Sequence, residues 1–381
     1  MSTSTGSDKK LNIAMIGHKR IPSREGGIEI VVEELAKRMV KLGHKVTVYN
    51  RGGHHVSGSE YDANDLKEYA GIRIKKAWTI DKKGLAAVTS AVFGSIAAMF
   101  GPYDVVHYHA EGPCIACFLP KWTGKRVVAT IHGLDHMRAK WGKLASAIIM
   151  RGEKNAVKYA DEIIVLSEGV QKYFKDTYNR DTVFIPNGVN KPQIKPAELI
   201  TEKWSLTKDS YILYLGRIVP EKGAHYLIDA YNRLITNKKL VIAGGSSDSS
   251  DYMNQLKIQA KNNPNIIFTD FIQGQTLEEL YSNAYIYVLP SDLEGMPLSL
   301  LEAMSYGNAC LTSDIEECAS VIGKCGVIFE RSNFEDLTNK LNELLDNDDK
   351  TTALKAQSTD YITNRYNWDN VVDLTINIYE R

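Results

Sequence analysis

The 381-residue sequence contains no apolar run long enough to cross a membrane without interruption. Its longest uncharged segment, Gly84 to Pro102, includes Ser, Thr and Gly, and we interpret it as a buried helix. The polar segment Met1 to Lys10 has no hydrophobic stretch typical of a signal peptide, so we expect a disordered tail. These absences favour a cytoplasmic, globular protein of about two domains.

Cysteine is scarce, with five residues in the whole sequence. An odd number of cysteines in a chain without a secretion signal indicates reduced thiols. Cys114 and Cys117 have the CxxC spacing, but their neighbours are apolar and no second Cys/His pair accompanies them. We therefore expect neither zinc binding nor redox chemistry there.

The net charge is zero, but the charges are unevenly distributed. Residues 1–195 contain 30 Lys and Arg against 19 Asp and Glu, whereas the remainder contains 16 against 27. A basic half indicates an anionic partner, such as a membrane surface, a lipid pyrophosphate or a nucleic acid. No stacking-aromatic module supports nucleic-acid binding, and ordinary solvated charge remains an alternative.

Short apolar runs alternate with amphipathic segments along the chain, a pattern that predicts parallel strands joined by helices. The first sheet is predicted from the runs Leu11 to Ile16, Lys45 to Tyr49, Val105 to Tyr108, Val127 to Ile131, Ile163 to Leu166 and Val183 to Ile185. The second is predicted from Tyr211 to Leu215, Leu240 to Ala243, Ile266 to Phe268, Ile286 to Leu289 and Ala309 to Thr312. The Pro-containing segment Asn187 to Pro196 is predicted to link two doubly wound α/β domains, 11–190 and 191–365, with a cleft between them.

Glu294 and Glu302 are the most informative pair in the sequence. The first lies in a Gly/Pro loop after a predicted strand, and the second lies one turn into the following helix. Carboxylates accept hydrogen bonds from hydroxyl groups, and the free N–H groups of a first helical turn favour anions. This combination indicates a ligand with hydroxyls and phosphates, such as a nucleotide-sugar, although a helix cap and a solvated glutamate explain the segment equally well in isolation.

Three further segments place polar groups at strand ends. Arg217 and Lys222, between Gly216 and Gly223, follow a strand and provide two cations suited to a pyrophosphate. In the first half, Gly26 and Gly27 precede a helix and can approach a phosphate closely. His132 ends a strand, where it serves either as a site residue or as a structural histidine whose tautomer Asp135 could fix. The dinucleotide fingerprint GxGxxG is absent.

Taken in order, these motifs resemble the retaining GT-B glycosyltransferases of family 4. The resemblance covers Leu11 to Tyr379 and rests on Gly26-Gly27, Ile131-His-Gly133, Ile185-Pro-Asn-Gly-Val189, Gly216-Arg217 with Lys222-Gly223, and Glu294 with Glu302. It implies a GT-B fold whose C-terminal helix, in residues 366–381, returns to the first domain. Asp270 stands where a glycine is frequent in the family, and Tyr285 where Asp is frequent.

The resemblance also implies roles for individual residues. Arg217 and Lys222 neutralise the donor diphosphate, Glu294 holds the sugar hydroxyls, Glu302 holds the ribose, and His132 reaches the transferred sugar. The catalytic residues implied are His132, Arg217, Lys222 and Glu294. The donor-binding residues implied are Gly26, Gly27, Gly216, Gly295, Met296, Leu298 and Glu302.

The activity implied is retaining transfer of a hexosyl or deoxyhexosyl group from a nucleotide-diphosphate sugar, with a UDP-sugar favoured. The acceptor implied is a glycan or lipid-linked molecule in bacterial cell-surface polysaccharide synthesis. The basic charge of the first half is compatible with peripheral contact with an anionic membrane at the cytoplasmic face. No metal or other cofactor is expected, and we interpret the DxD-like Asp346-Asn-Asp348 as a solvated loop. A catalytically silent nucleotide-sugar-binding protein and a phosphorylase are alternatives on the same fold.

Overall fold

A computed structural model of the protein describes residues 9–52, 66–82, 85–137, 142–245, 250–261 and 263–381. The chain divides into two compact units. The first comprises Met1–Asn187 and Trp368–Arg381, and the second comprises Gly188–Asn367. The division falls within the segment that the sequence predicts to be a linker.

The first unit is an α/β domain built on one sheet. Its strands are β1 (Asn12–Ile16), β2 (Lys45–Arg51), β3 (Glu68–Tyr69), β4 (Ile72–Ala77), β5 (Val105–His109), β6 (Arg126–Ile131), β7 (Glu162–Val165) and β8 (Val183–Phe184). Its helices are α1 (Gly27–Lys41), α2 (Leu85–Met99), α3 (Phe118–Trp122), α4 (Lys143–Tyr159), α5 (Glu168–Tyr178) and the C-terminal α14 (Trp368–Glu380). The strand order is β3-β4-β2-β1-β5-β6-β7-β8, and only the β3–β4 pair is antiparallel among the described strands.

The second unit repeats this architecture with a fully parallel sheet in the order β11-β10-β9-β12-β13-β14. Its strands are β9 (Tyr211–Leu215), β10 (Lys239–Ala243), β11 (Ile266–Asp270), β12 (Ile286–Leu289), β13 (Ala309–Ser313) and β14 (Val327–Phe329). Its helices are α6 (Leu199–Trp204), α7 (Ala224–Tyr231), α8 (Ser250–Gln259), α9 (Gln275–Asn283), α10 (Leu298–Ser305), α11 (Glu316–Ile322), α12 (Phe334–Leu345) and α13 (Asp348–Arg365).

The predicted α/β architecture is confirmed, because every predicted strand corresponds to a strand of one of the two sheets. The sequence did not predict β3, β4 or β14. Strand β4 reads Ile-Arg-Ile-Lys-Lys-Ala, with only its terminal residues buried, so it lacks a continuous apolar run. Leu42 follows α1 and is 46% exposed, so the apolar face of that helix ends at Met39.

Helix α2 corrects the prediction of a buried helix over Gly84 to Pro102, of which Gly84 lies outside the described residues. The residues that α2 buries are small, namely Ser90, Ala91, Gly94, Ser95 and Ala98. Its large apolar side chains point outwards, and Phe93 and Ile96 are 41% and 37% exposed. No helix of the described chain is both long and apolar enough to span a bilayer.

The C-terminal helix α14 completes the core of the first unit. The Tyr379 hydroxyl lies 2.6 Å from Nδ1 of His107 on β5, and Nε of Arg126 donates to the Ile378 carbonyl at 3.0 Å. At the other end of α14, Arg38 on α1 pairs with Asp369 at 3.0 Å. The last residues of the chain therefore belong structurally with the first ones, as the predicted fold requires.

Candidate functional site

The second sheet changes winding direction between β9 and β12, because β10 lies on one side of β9 and β12 on the other. Open α/β sheets bind ligands at the carboxyl ends of the strands that flank such a point. The loop 216–223 follows β9 and the loop 290–297 follows β12. The topology thus brings the two segments singled out by the sequence to one edge of the sheet.

Two glycines allow these loops to touch through their backbones. A Cβ at Gly223, whose φ is +67°, would lie 1.9 Å from the Pro290 carbonyl oxygen. A Cβ at Gly244, whose φ is +146° and which follows β10, would lie 1.8 Å from the Gly216 carbonyl oxygen. Since no other residue fits either contact without displacement, glycine at both positions fixes the spacing of three adjacent loops.

Lys222 and Glu294 form an ion pair across the two loops. Nζ of Lys222 lies 2.7 Å from Oε1 of Glu294, and both side chains are largely buried. The Ser291 hydroxyl donates to the same carboxylate oxygen at 2.7 Å. The structure therefore brings together two residues to which the sequence assigned separate ligand groups, and it adds Ser291, which the sequence analysis missed.

Arg217 lies on the same loop as Lys222, next to Gly216. Its carbonyl oxygen accepts a hydrogen bond from the Tyr214 hydroxyl at 3.1 Å, which fixes the loop to the end of β9. The side chain is partly exposed, and within the described ranges its guanidinium forms no ion pair. A half-buried guanidinium with no carboxylate partner can accept an anionic ligand at low desolvation cost.

Helix α10 begins at Leu298, directly after Gly295, Met296 and Pro297. The Leu300 amide donates to the Pro297 carbonyl at 3.1 Å, whereas the amides of Leu298 and Ser299 have no acceptor within the helix and so favour an anion or a ligand oxygen. Glu302 lies in the second turn, where its Oε2 accepts a hydrogen bond from the Tyr281 hydroxyl at 3.2 Å. Tyr281 in turn stacks on Tyr306, with ring centroids 5.2 Å apart. These rings set the position of the Glu302 carboxylate.

In the first unit, Gly26 precedes α1 in an extended conformation and Gly27 is the first residue of that helix. Glu29 organises the loop before them. Its Oε1 accepts the Lys19 amide at 2.8 Å, and its Oε2 lies 2.5 Å from the position that a Cβ of Gly26 would occupy. A side chain at position 26 would therefore have to displace the buried carboxylate of Glu29, a residue to which the sequence analysis had assigned no role.

His132 follows β6 and contacts a second histidine. Its Nε2 lies 3.1 Å from Nδ1 of His109, at the end of the neighbouring strand β5. The His109 ring lies 4.1 Å from that of His107, which also contacts the Thr130 hydroxyl at 2.7 Å. The prediction that Asp135 fixes the His132 tautomer remains untested, whereas His109 is in hydrogen-bonding position to do so.

Burial controls the protonation of this histidine series. Burial, together with the neighbouring His132, lowers the pKa of His107 to about 3. Burial and three neighbouring histidines hold the pKa of His109 well below its usual range. Burial lowers the pKa of His18, which follows β1, to about 4. Neutral imidazoles therefore support His132 at neutral pH.

The DxD-like segment Asp346-Asn-Asp348 is exposed, as the sequence predicted, and it joins α12 to α13. Asn347 caps α13 by accepting the Lys350 amide at 2.9 Å, and Asp348 accepts the Tyr285 hydroxyl at 2.5 Å. Asp348 is therefore engaged in packing α13 against the sheet. Tyr285 has a structural role here, and Asp270, whose φ is +56°, adopts the left-handed conformation that favours glycine.

Two family models match the chain. Residues 25–191 match the model described as Glycosyltransferase Family 4, and residues 197–361 match Glycosyl transferases group 1. A glycosyltransferase of Methanocaldococcus jannaschii is 25% identical, over 97% of this chain and 98% of its own length. The N,N'-diacetylbacillosaminyl-diphospho-undecaprenol alpha-1,3-N-acetylgalactosaminyltransferase of Campylobacter jejuni is 24% identical, over 97% of this chain and 96% of its own length.

Solved structures share the fold. Sucrose-phosphate synthase from Thermosynechococcus elongatus superposes with a TM-score of 0.79 at 20% identity, covering 97% of this chain and 98% of its own. HepE of Anabaena, in complex with UDP and glucose, superposes with a TM-score of 0.79 at 16% identity, covering 97% and 99%. The two family models together span most of the chain, and the chain therefore belongs to the GT-B glycosyltransferases of the group 1 and family 4 type.

Proposed function

We propose that this glycosyltransferase takes a sugar from a nucleotide-diphosphate sugar and transfers it with retention to a glycan or lipid-linked acceptor in cell-surface polysaccharide synthesis. The observation that carries this proposal is the Lys222–Glu294 pair at the winding change of the second sheet. The pair places a cation that can bind a phosphate in direct contact with a carboxylate that can bind sugar hydroxyls. HepE was solved with UDP and glucose, which favours a UDP-sugar as donor.

The residues of the second domain account for the donor. Arg217 and Lys222 supply positive charge where negative charge develops on the leaving diphosphate, so they stabilise the transition state more than the bound substrate. The first-turn amides of α10 hold phosphate or sugar oxygens, and Glu302 accepts the ribose hydroxyls. Glu294 exchanges its bond to Lys222 for bonds to the transferred sugar.

Retention implies that the leaving diphosphate and the incoming acceptor hydroxyl share one face of an oxocarbenium-like centre. The phosphate then takes the acceptor proton, which requires no side-chain base. His132, held by His109, is assigned to the transferred sugar, and Gly26 and Gly27 are assigned to the donor phosphate. These roles in the first domain extend the proposal and rest on their positions at strand and helix ends.

A membrane-borne acceptor suits the surface of the first domain. Trp78 packs against Phe93 of α2, with ring centroids 4.7 Å apart and the ring planes tilted by 58°, and both rings are exposed. Phe100, beyond the end of α2, is 80% exposed. Exposed aromatic rings in a basic domain favour the interface of an anionic membrane. The relative from Campylobacter jejuni is named for an undecaprenol-linked acceptor, which supports this location.

From the sequence, we expect the cations that contact a membrane among Lys75, Lys76, Lys82, Lys83, Arg138, Lys140 and Lys143. Lys76, Lys82 and Lys143 are exposed, whereas Lys75 donates to the Tyr103 hydroxyl at 3.3 Å and lies over two tyrosine rings. Lys75 is thus engaged within the domain. Three further cations predicted from the sequence, Lys83, Arg138 and Lys140, lie outside the described residues.

A two-stage experiment tests the proposal. A thermal-shift screen against UDP-, GDP-, ADP- and dTDP-sugars should identify one donor through an increase in the melting temperature, because ligand that binds only the folded state stabilises it. Transfer from that donor to lipid extracts, with the anomeric configuration of the product determined by NMR, then tests activity and retention. Binding without hydrolysis or transfer would favour the silent sugar-binding protein, and dependence on inorganic phosphate would favour a phosphorylase.

A further inference from the structure

Three polar side chains from separate elements of the first domain converge in its interior. Glu111 follows β5, His136 lies in the 3₁₀ turn Asp135–Met137 after β6, and Glu153 lies on α4. One ligand atom from each lies within 4.8 Å of the other two. Both glutamate side chains are completely buried, and the His136 side chain is 14% exposed.

A close approach of α4 places Glu153 beside Glu111. A Cβ at Gly152 would lie 2.1 Å from the Glu111 carbonyl oxygen, so only glycine permits α4 to lie against this backbone. The neighbouring residue on the helix, Glu153, is thereby carried into the interior. The convergence is thus built into the packing of the domain.

One oxygen of each glutamate is already occupied. Oε2 of Glu111 accepts the Asp135 amide at 2.8 Å. Oε1 of Glu153 accepts the Tyr173 hydroxyl at 3.0 Å and also the Tyr178 hydroxyl. These bonds orient both carboxylates and direct the second oxygen of each towards His136.

The three atoms that face one another have no hydrogen-bond partner in the described part of the chain. They are Glu111 Oε1, Glu153 Oε2 and His136 Nδ1. Nδ1 lies 3.5 Å from the Glu111 oxygen and 3.4 Å from the Glu153 oxygen. Ligands about 2.1 Å from a tetrahedral ion are separated from one another by about 3.4 Å, so this spacing is that of a coordination shell.

The charges of the cluster also favour a cation. Within the described ranges, His136 is the only ion-pair partner of either glutamate. Two buried carboxylates without a compensating charge are strongly unfavourable. We propose that Glu111, His136 and Glu153 bind one divalent transition-metal ion inside the first domain.

The donor set limits the choice of ion. One imidazole nitrogen and two carboxylate oxygens suit Zn²⁺ or Mn²⁺, whereas Mg²⁺ and Ca²⁺ prefer oxygen ligands alone. Tyr173 and Tyr178 hold the Glu153 carboxylate in the way that outer hydrogen bonds orient metal ligands. The site is distinct from the donor phosphates, for which the sequence predicted no metal.

The consequence of this ion is structural support for the segment that contains His132. Glu111 holds the Asp135 amide, and His136 is the next residue, so an ion bound to both would fix the chain that leaves β6. Residue 132 begins that same segment. The metal would act as a brace behind a predicted sugar-contacting residue, without taking part in transfer.

Direct metal binding tests the proposal. Untagged protein, dialysed against a chelator and then against metal-free buffer, is titrated with Zn²⁺ and separately with Mn²⁺ in competition with a chromogenic chelator. We expect about one ion per chain, an increase in melting temperature on binding, and no competition by Mg²⁺. Glu111→Gln, Glu153→Gln and His136→Ala should each weaken binding at least about 100-fold.

Glu343→Gln on α12 is a matched control, since it removes an exposed carboxylate far along the chain and should leave affinity unchanged. A proton shared by the two carboxyls is the rival arrangement, because burial and a hydrogen bond that protonated Glu111 would donate to Glu153 raise the pKa of Glu111. Failure of the wild-type protein to bind either ion stoichiometrically would establish that arrangement and overturn the metal site. Unchanged affinity in all three cluster variants would overturn it as well.

Discussion

Nζ of Lys222 lies 2.7 Å from Oε1 of Glu294, although the two residues are 72 positions apart. Before a donor binds, the two charges neutralise each other and satisfy part of each other's hydrogen-bonding capacity. A nucleotide-sugar presents both a phosphate for the ammonium and hydroxyls for the carboxylate. Only a ligand with both groups can replace the pair without leaving one buried charge unpaired.

Replacement of Lys222 by Ala should lower kcat by about 10²-fold or more, because its charge matters most as the diphosphate leaves. Arg217→Ala should have an effect of the same order. Steady-state kinetics with saturating acceptor measure both. Lys172→Ala on α5, where an exposed lysine pairs with Asp176, provides the control and should retain full turnover. Near-wild-type kcat in both site variants would remove the phosphate assignment.

A double-mutant cycle on Lys222 and Glu294 tests the direct pair. We expect a coupling free energy on the order of 1 kcal/mol for unfolding, because the two side chains are in contact and largely buried. The coupling should fall when donor saturates the protein, since the ligand separates the charges. Urea denaturation with and without donor provides the measurement, and additive effects in the free protein would contradict the observed contact.

The two glutamates should have separable effects on binding. Glu302→Gln should weaken the binding of the free nucleotide. Glu294→Gln should weaken only the binding of sugar-bearing donors. Tyr281→Phe removes the hydroxyl that orients Glu302. It should lower the affinity for the nucleotide about two- to tenfold, which is the usual contribution of one hydrogen bond. Isothermal calorimetry with nucleoside diphosphate and with intact donor distinguishes these cases. Equal losses on both ligands in every variant would contradict the assignment.

The buried histidines predict that the first domain loses stability in acid. The pKa of His107 falls from 6.5 in the unfolded chain to about 3 in the folded one, so the unfolded state binds more protons between these values. The free energy of unfolding should therefore fall as the pH decreases from 6.5 towards 3. Between pH 7 and pH 5 this residue contributes about 2 kcal/mol of that loss.

His107→Gln should reduce the difference in unfolding free energy between pH 7 and pH 5 by about this amount, as measured by urea denaturation. Tyr379→Phe is the matched control, because it removes the hydroxyl at Nδ1 and leaves the imidazole in place. It should lower stability at both pH values and preserve most of the difference. An unaltered pH dependence in His107→Gln would show that other groups govern acid unfolding.

Vesicle co-sedimentation tests the proposed membrane surface. Binding should require anionic lipid and weaken as salt rises, because each cation near the surface contributes about 1 kcal/mol and is screened beyond about 10 Å at 0.1 M salt. Charge reversal at Lys76 and Lys82, or Phe93→Ser with Phe100→Ser, should reduce sedimentation. Charge reversal at Lys172 is the control. Equal binding to neutral vesicles would favour a soluble acceptor.

The sequence predicted the fold well because parallel strands buried on both faces leave continuous apolar runs. It failed where burial depends on neighbours. Half of the residues of strand β4 are charged, yet it pairs with β2 and β3 through its backbone. Helix α2 buries its small residues and exposes its large ones. Its overall hydrophobicity therefore led to the wrong prediction that the whole helix is buried.

Candidate site residues could be singled out from the sequence where a motif placed the relevant side chains in one segment. Glu294 and Glu302 share one segment with a helix N-terminus, and Lys222 shares a glycine loop with Arg217. The partners of these residues were not predictable, because Ser291 and Tyr281 have no distinctive sequence context. The Glu111–Glu153 contact joins residues 42 positions apart, and only the close packing at Gly152 reveals it.

The contact between Tyr379 and His107 has a consequence for synthesis on the ribosome. The N-terminal residues emerge first, but their domain is completed by a helix at the opposite end of the chain. At about 5 to 20 residues per second, translation of the intervening second domain occupies on the order of 10 to 40 s. Throughout that interval the nascent first domain exposes the apolar surface that α14 will cover. Chaperone binding to ribosome-attached chains should therefore depend on whether residues 368–381 have been made.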